Sequence, residues 1–240
     1  MKILAIESSS LVASAAIVND DILVAEYTVN HKVTHSQTLL PMIDEILTMT
    51  QTDKMSIDAI AVSGGPGSYT GLRIGSATAK GLGMALDIPL IHVPTLDAMA
   101  YNAYGYAGLV CPIMDARRSQ VYTGIYEFSD GKFNILLENS AITFDELMEK
   151  LDALNTSGKK VMFIGDGIPV FKDRIDEHFK GIGYELAPAS MNRQRAASVA
   201  VLGGIYYNEG KTEAASEHLP DYLRLSQAER ELNEKRAANG

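Results

Sequence analysis

Three groups of residues have types and spacings that chemistry uses. The first is a pair of acids. Glu7 in "AIESSS" and Asp115 in "IMDARRSQVY" each close a short apolar run. With the hydroxyls of Ser8 and Ser9, such carboxylates can hold a hydrated metal ion beside the phosphates of a nucleotide. They can equally be the solvated or hydrogen-bonded acids of a cleft that has lost that use. Asp115 is followed by Ala116, Arg117 and Arg118, where a phosphate-binding turn would use glycine. Arginine side chains there would crowd the turn or pair with a phosphate.

The second group is "SGGPGSYTGLRIGSATAKGLG", Ser63 to Gly83. It is not a Walker A loop, because no Lys-Ser/Thr pair follows and Arg73 stands there instead. Gly64, Gly65 and Gly67 around Pro66 favour a tight turn, which could face a cleft. Ser68 or Thr70 can cap the helix that follows. Inside that helix Gly71, Gly75, Ala79 and Gly83 recur every fourth residue and share one face. Each glycine costs ~1 kcal/mol against alanine in a helix interior. Close approach of another backbone, in the chain's own sheet or in a helix of another chain, would offset that cost. Leu72, Ile74, Leu82, Met84 and Leu86 lie around the other faces, so the helix needs cover on several sides.

The third group is His31 and His35, spaced as two zinc ligands on one helix face would be. No HExxH glutamate lies between them, no third ligand is evident, and the segment precedes the apolar pattern. They read as a surface histidine and a cap-region histidine, with no metal. The single cysteine, Cys111 in "LVCPIM", excludes an internal disulfide and reads as a small buried hydrophobe.

These residues must be positioned by α/β elements. Residues 2–7, 13–18 and 22–29 read as strands, the last two as a hairpin around Asn19-Asp20-Asp21. A helix over 36–49 follows from Leu39, Leu40, Ile43, Ile46 and Leu47. Pro41 inside it predicts either a kink or a helix start there. Strand 57–63, a helix to about Leu86, strand 89–93 and a helix from a Thr95 cap complete the half. The second half repeats the order: strand 109–115, a hairpin over 121–139, a helix capped by Thr143, strand 159–165, a helix over 170–179, a weak strand near 183–187, and a helix over 193–210. The whole is a duplicated βββαβαβα chain, the plan of the actin-like (ribonuclease H-like) ATPases. The expected units are a first lobe over 1–104, a second over 105–225, and a charged tail over 226–240. In that plan Glu7 and Asp115 face each other across a cleft.

The composition bounds the partners. The 240 residues carry a formal charge of −9, with 46% hydrophobic and 21% charged residues, as in a soluble globular protein. An acidic chain gains nothing from counterion release, so it is a poor binder of RNA or DNA alone. No apolar run approaches the ~20 residues of a membrane span, and "MKILAIESSS" turns polar too soon for a signal peptide. The expected address is cytoplasmic, away from membranes.

"ILAIESSSLVASAAIV", "HSQTLLPMIDEIL", the block from Ser63 to Gly83, "IPLIHVPTLDAMA", "MDARRSQVY" and "PDYLR" at Pro220–Arg224 together resemble the TsaB family. Its members take part in making threonylcarbamoyladenosine at position 37 of transfer RNA. The resemblance spans most of the chain, and the glycine-rich block is its most specific part. It implies a non-catalytic scaffold that pairs with the catalytic paralogue TsaD, with the ATPase TsaE joining the complex and transfer RNA met only through it. It implies a contact through the helices of the first lobe, carried onto Leu39, Met42, Ile43, Ile46, Leu72, Gly75 and Ala79, and a homodimer when the partner is missing. Glu7 and Asp115 would then flank a vestigial cleft. The metal-binding histidines of TsaD fall on Thr95 and Met99, which cannot replace imidazoles, so no cofactor is implied. The competing readings are an actin-like ATP-dependent phosphotransferase, using Glu7 and Asp115, and a metallopeptidase-like protein.

Overall fold

The computed structural model describes residues 1–223. Arg224 of "PDYLR" and the charged tail over 226–240 lie outside the described residues. The first sheet has the order β3(Ile22–Asn30)-β2(Val12–Asn19)-β1(Lys2–Glu7)-β4(Ala59–Gly65)-β5(Leu90–Pro94). The second has β8(Lys132–Thr143)-β7(Gln120–Ser129)-β6(Leu109–Asp115)-β9(Val161–Ile164)-β10(Glu185–Leu186). In both, the first strand pairs antiparallel with the second and parallel with the fourth. The duplicated actin-like plan is therefore present strand for strand. Six helices among the described residues complete it: α1(His35–Met49), α2(Tyr69–Leu86), α3(Thr95–Tyr101), α4(Phe144–Leu154), α5(Ile168–His178) and α6(Ala196–Asn208).

Local chemistry sets the helix ends. Thr143 and Glu146 form a capping box at α4, with the Thr143 hydroxyl accepting from the Glu146 N–H at 3.2 Å and the Glu146 carboxylate accepting from the Thr143 N–H at 2.7 Å. Ser68, not Thr70, caps α2 by accepting from the Gly71 N–H. The expected Thr95 cap is corrected. The helix α3 already includes Thr95, whose buried hydroxyl instead bonds Ser63 Oγ at 2.7 Å. Helix α1 begins at His35 and runs through Pro41, so the reading in which the helix starts at Pro41 is set aside. Pro41 is exposed, where a lost backbone bond is least costly.

Two of the helices, α3 and α6, do not stay with the sheet whose strands they follow. On one face of the first sheet, α1 and α2 bury Leu39, Met42, Ile43, Ile46 and Ala79 against Leu4, Ile6, Ile17, Ile60 and Val62. The other face is covered by α6, with Val199, Ala200 and Leu202 against Ile3, Ala5, Ala61 and Ile91. Gly203 of α6 lets the helix sit down on Ala61, where a Cβ would collide. In exchange α3 covers the second sheet, with Leu96, Met99 and Ala100 packed on Val110, Met114, Tyr126 and Ile164. Helices α4 and α5 cover its other face through Phe144, Leu147, Phe171 and Ile175, against a core that includes buried Cys111.

The boundary expected at 104/105 therefore separates the two sheets but not the packing. Helix α6 and the segment after it return to the first lobe, where Glu213 bridges Leu90 through paired backbone bonds of 3.0 Å. The two halves are tied at Asp97 of α3. Its carboxylate accepts from Tyr126 Oη at 2.8 Å and Asn139 Nδ2 at 3.0 Å in the second sheet, and from Tyr206 Oη of α6 at 3.2 Å. Burial raises the Asp97 carboxyl above the ordinary range, and those three donors oppose the rise.

Candidate functional site

A cleft of about 670 Å³ opens between the lobes. The β1–β2 turn and the start of α2 line one wall through Ser9, Ser10, Gly67 and Tyr69; Asp115, Arg117 and Asp166 line the other. Asp221 and Tyr222 of the returning segment close its edge.

The two expected acids are not brought together there. Glu7 is fully buried beneath the β1–β2 turn and does not line the cleft. Its Oε1 accepts from both the Ser9 N–H and the Ser9 hydroxyl at 2.6 Å, while Oε2 has no hydrogen-bond partner. Burial raises its carboxyl above the usual range, and the Ser9 bonds partly offset this. Ser8 is also turned inward, donating to the Gly71 carbonyl at 2.9 Å. Of the four residues that could build a metal or nucleotide site, Ser8 and the Glu7 Oε1 oxygen are engaged inside the chain, and Glu7 does not reach the cleft that Ser9 and Asp115 line.

Asp115 does face the cleft, but it is held by its own turn. Its Oδ1 accepts from the Arg117 N–H at 2.8 Å, and its Oδ2 pairs with Arg117 Nη1 at 2.9 Å. Arg117, Arg118 and Ser119 all have positive φ, at 65°, 54° and 57°. Glycine would occupy such positions more easily, and these side chains give the turn a bulk that a phosphate-binding turn avoids.

Asp166 is a cleft acid that the sequence reading missed. It sits between Gly165 and Gly167, and a Cβ at either glycine would press on the Ile113 carbonyl. Burial raises its carboxyl, the Arg193 charge opposes that, and Asp115 adds to it. Its Oδ1 is buried without a partner. The signal in the sequence was "GDGIP", an acid flanked by two glycines directly after a strand.

The glycine-rich block is explained by what it touches. The missing Cβ of Gly64 leaves room for the His92 ring, and that of Gly65 for the Asp221 carbonyl. Gly67 and Gly71 meet the carbonyls of Ser9 and Ser8, Gly75 meets Ser8 Oγ, and Gly83 meets Ala215 and Leu90. The stripe thus packs on the chain's own β1–β2 turn, sheet and returning segment. "PDYLR" acquires a role here. The Asp221 N–H donates to the Gly64 carbonyl at 2.7 Å. Tyr222 lies on Tyr69 with ring centroids 4.8 Å apart and accepts from Arg73 Nε at 3.2 Å. The Arg73 guanidinium covers the Tyr69 ring at 4.1 Å. Thr70 is exposed on the first turn of α2.

The residue set carried over as a partner contact lies on the inner sides of α1 and α2. Leu39, Met42, Ile43, Ile46, Leu72, Gly75 and Ala79 are all buried within this chain, none of the six with larger side chains more than 4% exposed. Leu39, Met42, Ile43, Ile46 and Ala79 pack in the core of the first sheet. The outward faces of the same helices carry Leu40, Met49, Ala77, Gly81, Met84 and Ala85. Among these, a Cβ at Gly81 would meet none of the described residues within 4 Å.

His31 lies exposed ahead of α1, whereas His35 opens the helix and is buried, its Nε2 2.7 Å from the Ser10 carbonyl. The two do not share a helix face. Thr95 and Met99 are buried in α3 and offer no imidazole, so the residues at the paralogue's histidine positions do not fit its metal ion.

The chain matches the family model described as TsaD, tRNA N6-adenosine threonylcarbamoyltransferase, over residues 24–232. It is 35% identical to the tRNA threonylcarbamoyladenosine biosynthesis protein TsaB of Bacillus subtilis, covering 95% of this chain and 96% of that protein. It is 32% identical to the Escherichia coli protein of the same name, covering 97% and 98%. A crystal structure from Pseudomonas aeruginosa, described as an uncharacterized protein with similarity to peptidase YeaZ, superposes with a TM-score of 0.79 at 27% identity, covering 93% of this chain and 99% of that one.

Proposed function

The chain belongs to the TsaB family of tRNA threonylcarbamoyladenosine biosynthesis proteins, and from that premise we propose that it is a non-catalytic scaffold that pairs with TsaD. In this role it supports transfer of the threonylcarbamoyl group to adenosine 37 of transfer RNA. TsaE joins the pair, and transfer RNA is met only through the assembly. The same face pairs with a second copy of the chain when TsaD is missing.

The observation that carries this reading is the outward face of α1 and α2. Apolar residues Leu40, Met49 and Met84 are 53%, 75% and 65% exposed there. They flank a strip of Ala77, Gly81 and Ala85 at four-residue spacing, which lets a second helix approach closely. Gly81 costs ~1 kcal/mol of helix propensity, and no contact among the described residues offsets it. The cleft gives less support to a phosphotransferase, because Glu7 is folded away and Asp115 is engaged by Arg117. A metallopeptidase is disfavoured by Thr95 and Met99.

The test is co-elution with TsaD from the same cell. Gly81→Trp should abolish the complex while leaving the isolated chain folded by circular dichroism. Undiminished co-elution of that variant would sink the proposed contact. Depletion of the chain should lower threonylcarbamoyladenosine in total transfer RNA.

A further inference from the structure

The returning segment brings a second set of chemically capable groups beside the glycine-rich block. His92 of β5, Glu213 and His218 each offer one ligand atom, and these atoms all lie within 4.8 Å of one another. The two imidazoles have centroids 5.7 Å apart. His218 is completely buried, and its Nδ1 is 2.6 Å from Glu213 Oε1. Its Nε2 is buried with no hydrogen-bond partner. His92 Nε2 is likewise buried without a hydrogen bond, although Asp221 Oδ2 stands 3.2 Å away.

Two buried imidazole nitrogens without a hydrogen bond among the described residues, in a cluster whose carboxylates reach the surface, call for a ligand, since each such atom costs about 1–3 kcal/mol. The cluster is also sterically provided for: Gly64 is the residue whose missing side chain makes space for the His92 ring.

We propose that His92, His218 and Glu213, with the Asp221 carboxylate alongside as a fourth donor, bind a divalent first-row transition ion of the zinc type. Two imidazoles with carboxylates and no thiolate form a donor set that suits zinc and its neighbours, whereas calcium and magnesium take oxygen ligands. Tetrahedral ligands at about 2.0–2.1 Å from zinc stand roughly 3.3 Å from each other. The three donors therefore close by little more than about an ångström, within the reach of side-chain rotation. Lys80 donates to the His218 carbonyl at 3.1 Å, and its charge works against the cation. The bound ion would staple β5 to the segment 213–221. That would hold Asp221 on the glycine-rich loop and Tyr222 at the edge of the cleft. No step of the transfer reaction depends on this ion.

The probe is zinc chloride added to the untagged, chelator-stripped full-length chain, followed by calorimetry and by cobalt(II) absorption as a spectroscopic substitute. Stoichiometric binding is expected. His92→Gln and His218→Gln should each weaken it at least 100-fold, and Glu213→Gln by about 10–100-fold. His31→Gln and His178→Gln, which change the remaining histidines outside the cluster except His35, should leave it unchanged. Histidine side-chain NMR on the unsubstituted chain gives a reading independent of variant folding: zinc should shift the His92 and His218 ring nitrogens and not those of His31 or His178. No shift at His92 and His218, shifts confined to the surface histidines, or unchanged affinity in His218→Gln would overturn the site.

Discussion

The two lobes carry the same strands in the same order, but their outer helix layers differ. In the second lobe the exposed positions of α4 and α5 are mostly charged: Asp145, Glu146, Glu149, Lys150 and Asp152 on one, Asp173, Asp176 and Glu177 on the other. Ala153, Leu154, Pro169 and Val170 are the apolar exceptions. In the first lobe the exposed positions of α2 are Thr70, Arg73, Ala77, Gly81, Met84 and Ala85. A helix layer with no further partner is expected to be polar on its outer side, and the second lobe meets that expectation. The first departs from it along α2, whose exposed positions include one charged residue, Arg73, whereas α1 keeps Asp44 and Glu45 on its outer side beside Leu40 and Met49. Duplication supplied both layers with an inward apolar face; the outward face of the first has the composition of a surface that another helix covers.

The largest effect should come from confusing the inner and outer faces of α2. Gly75→Trp places its side chain into Ser8 and should cost more than about 4 kcal/mol, enough to unfold most of the chain. Gly81→Trp, a turn and a half further on, should leave the thermal transition nearly where it is. Equal damage from both would show that α2 is covered on its outer side as well. Next in size is the junction between the lobes. Asp97→Ala strands two tyrosine hydroxyls and the Asn139 amide and should cost about 2–4 kcal/mol, read by urea unfolding. Two separate transitions in that variant would mean that the lobes fold as units despite their exchanged helices. Smaller is the effect of charge on the outer layers. Met84→Lys should weaken TsaD binding by about 10–100-fold, which is about 1.4–2.8 kcal/mol. Its counterpart in the other lobe, Glu149→Lys, should leave binding unchanged in the same assay.

Those outcomes also bear on what the chain could say of itself. Element order was legible throughout, because period-2 and period-3.6 apolar patterns are local properties of the residues. The direction in which each helix face points is not local. Leu39, Met42, Ile43 and Ile46 could be seen to share a side of α1, but only the sheet shows that this side is inside. The same limit applies to the glycine stripe, whose partner turned out to be the β1–β2 turn and the segment around Ala215. The exchange of α3 and α6 between lobes has no local signature, so the sequence boundary at 104/105 missed it. Asp166 was recoverable from its flanking glycines. The cluster of His92, Glu213 and His218 was not, since its members come from β5 and from a segment that reads as irregular.

The smallest expected effect separates the two acids that occupy equivalent strand ends. Glu7 is fully buried, with one oxygen satisfied by Ser9 and the other unpartnered; Asp115 is partly exposed and paired within its own turn. The Glu7 carboxyl is raised in the folded state, chiefly by burial. Its favourable contribution is therefore fully present below the pKa of the unfolded chain, near 4.3 for a model glutamate. It is lost as pH rises through the raised folded-state value, because the folded chain must then bury a charge. Glu7→Gln keeps an acceptor for Ser9 and removes that charge. It should raise the melting temperature by about 2–4 °C at pH 8 and make no difference near pH 4, giving a flatter stability profile. Asp115→Asn should shift stability by less than about 0.5 kcal/mol. A Glu7→Gln variant that is less stable at pH 8 than the parent would mean that the carboxylate is ionised and held by a cation in the folded chain. The two strand ends would then be functionally alike after all.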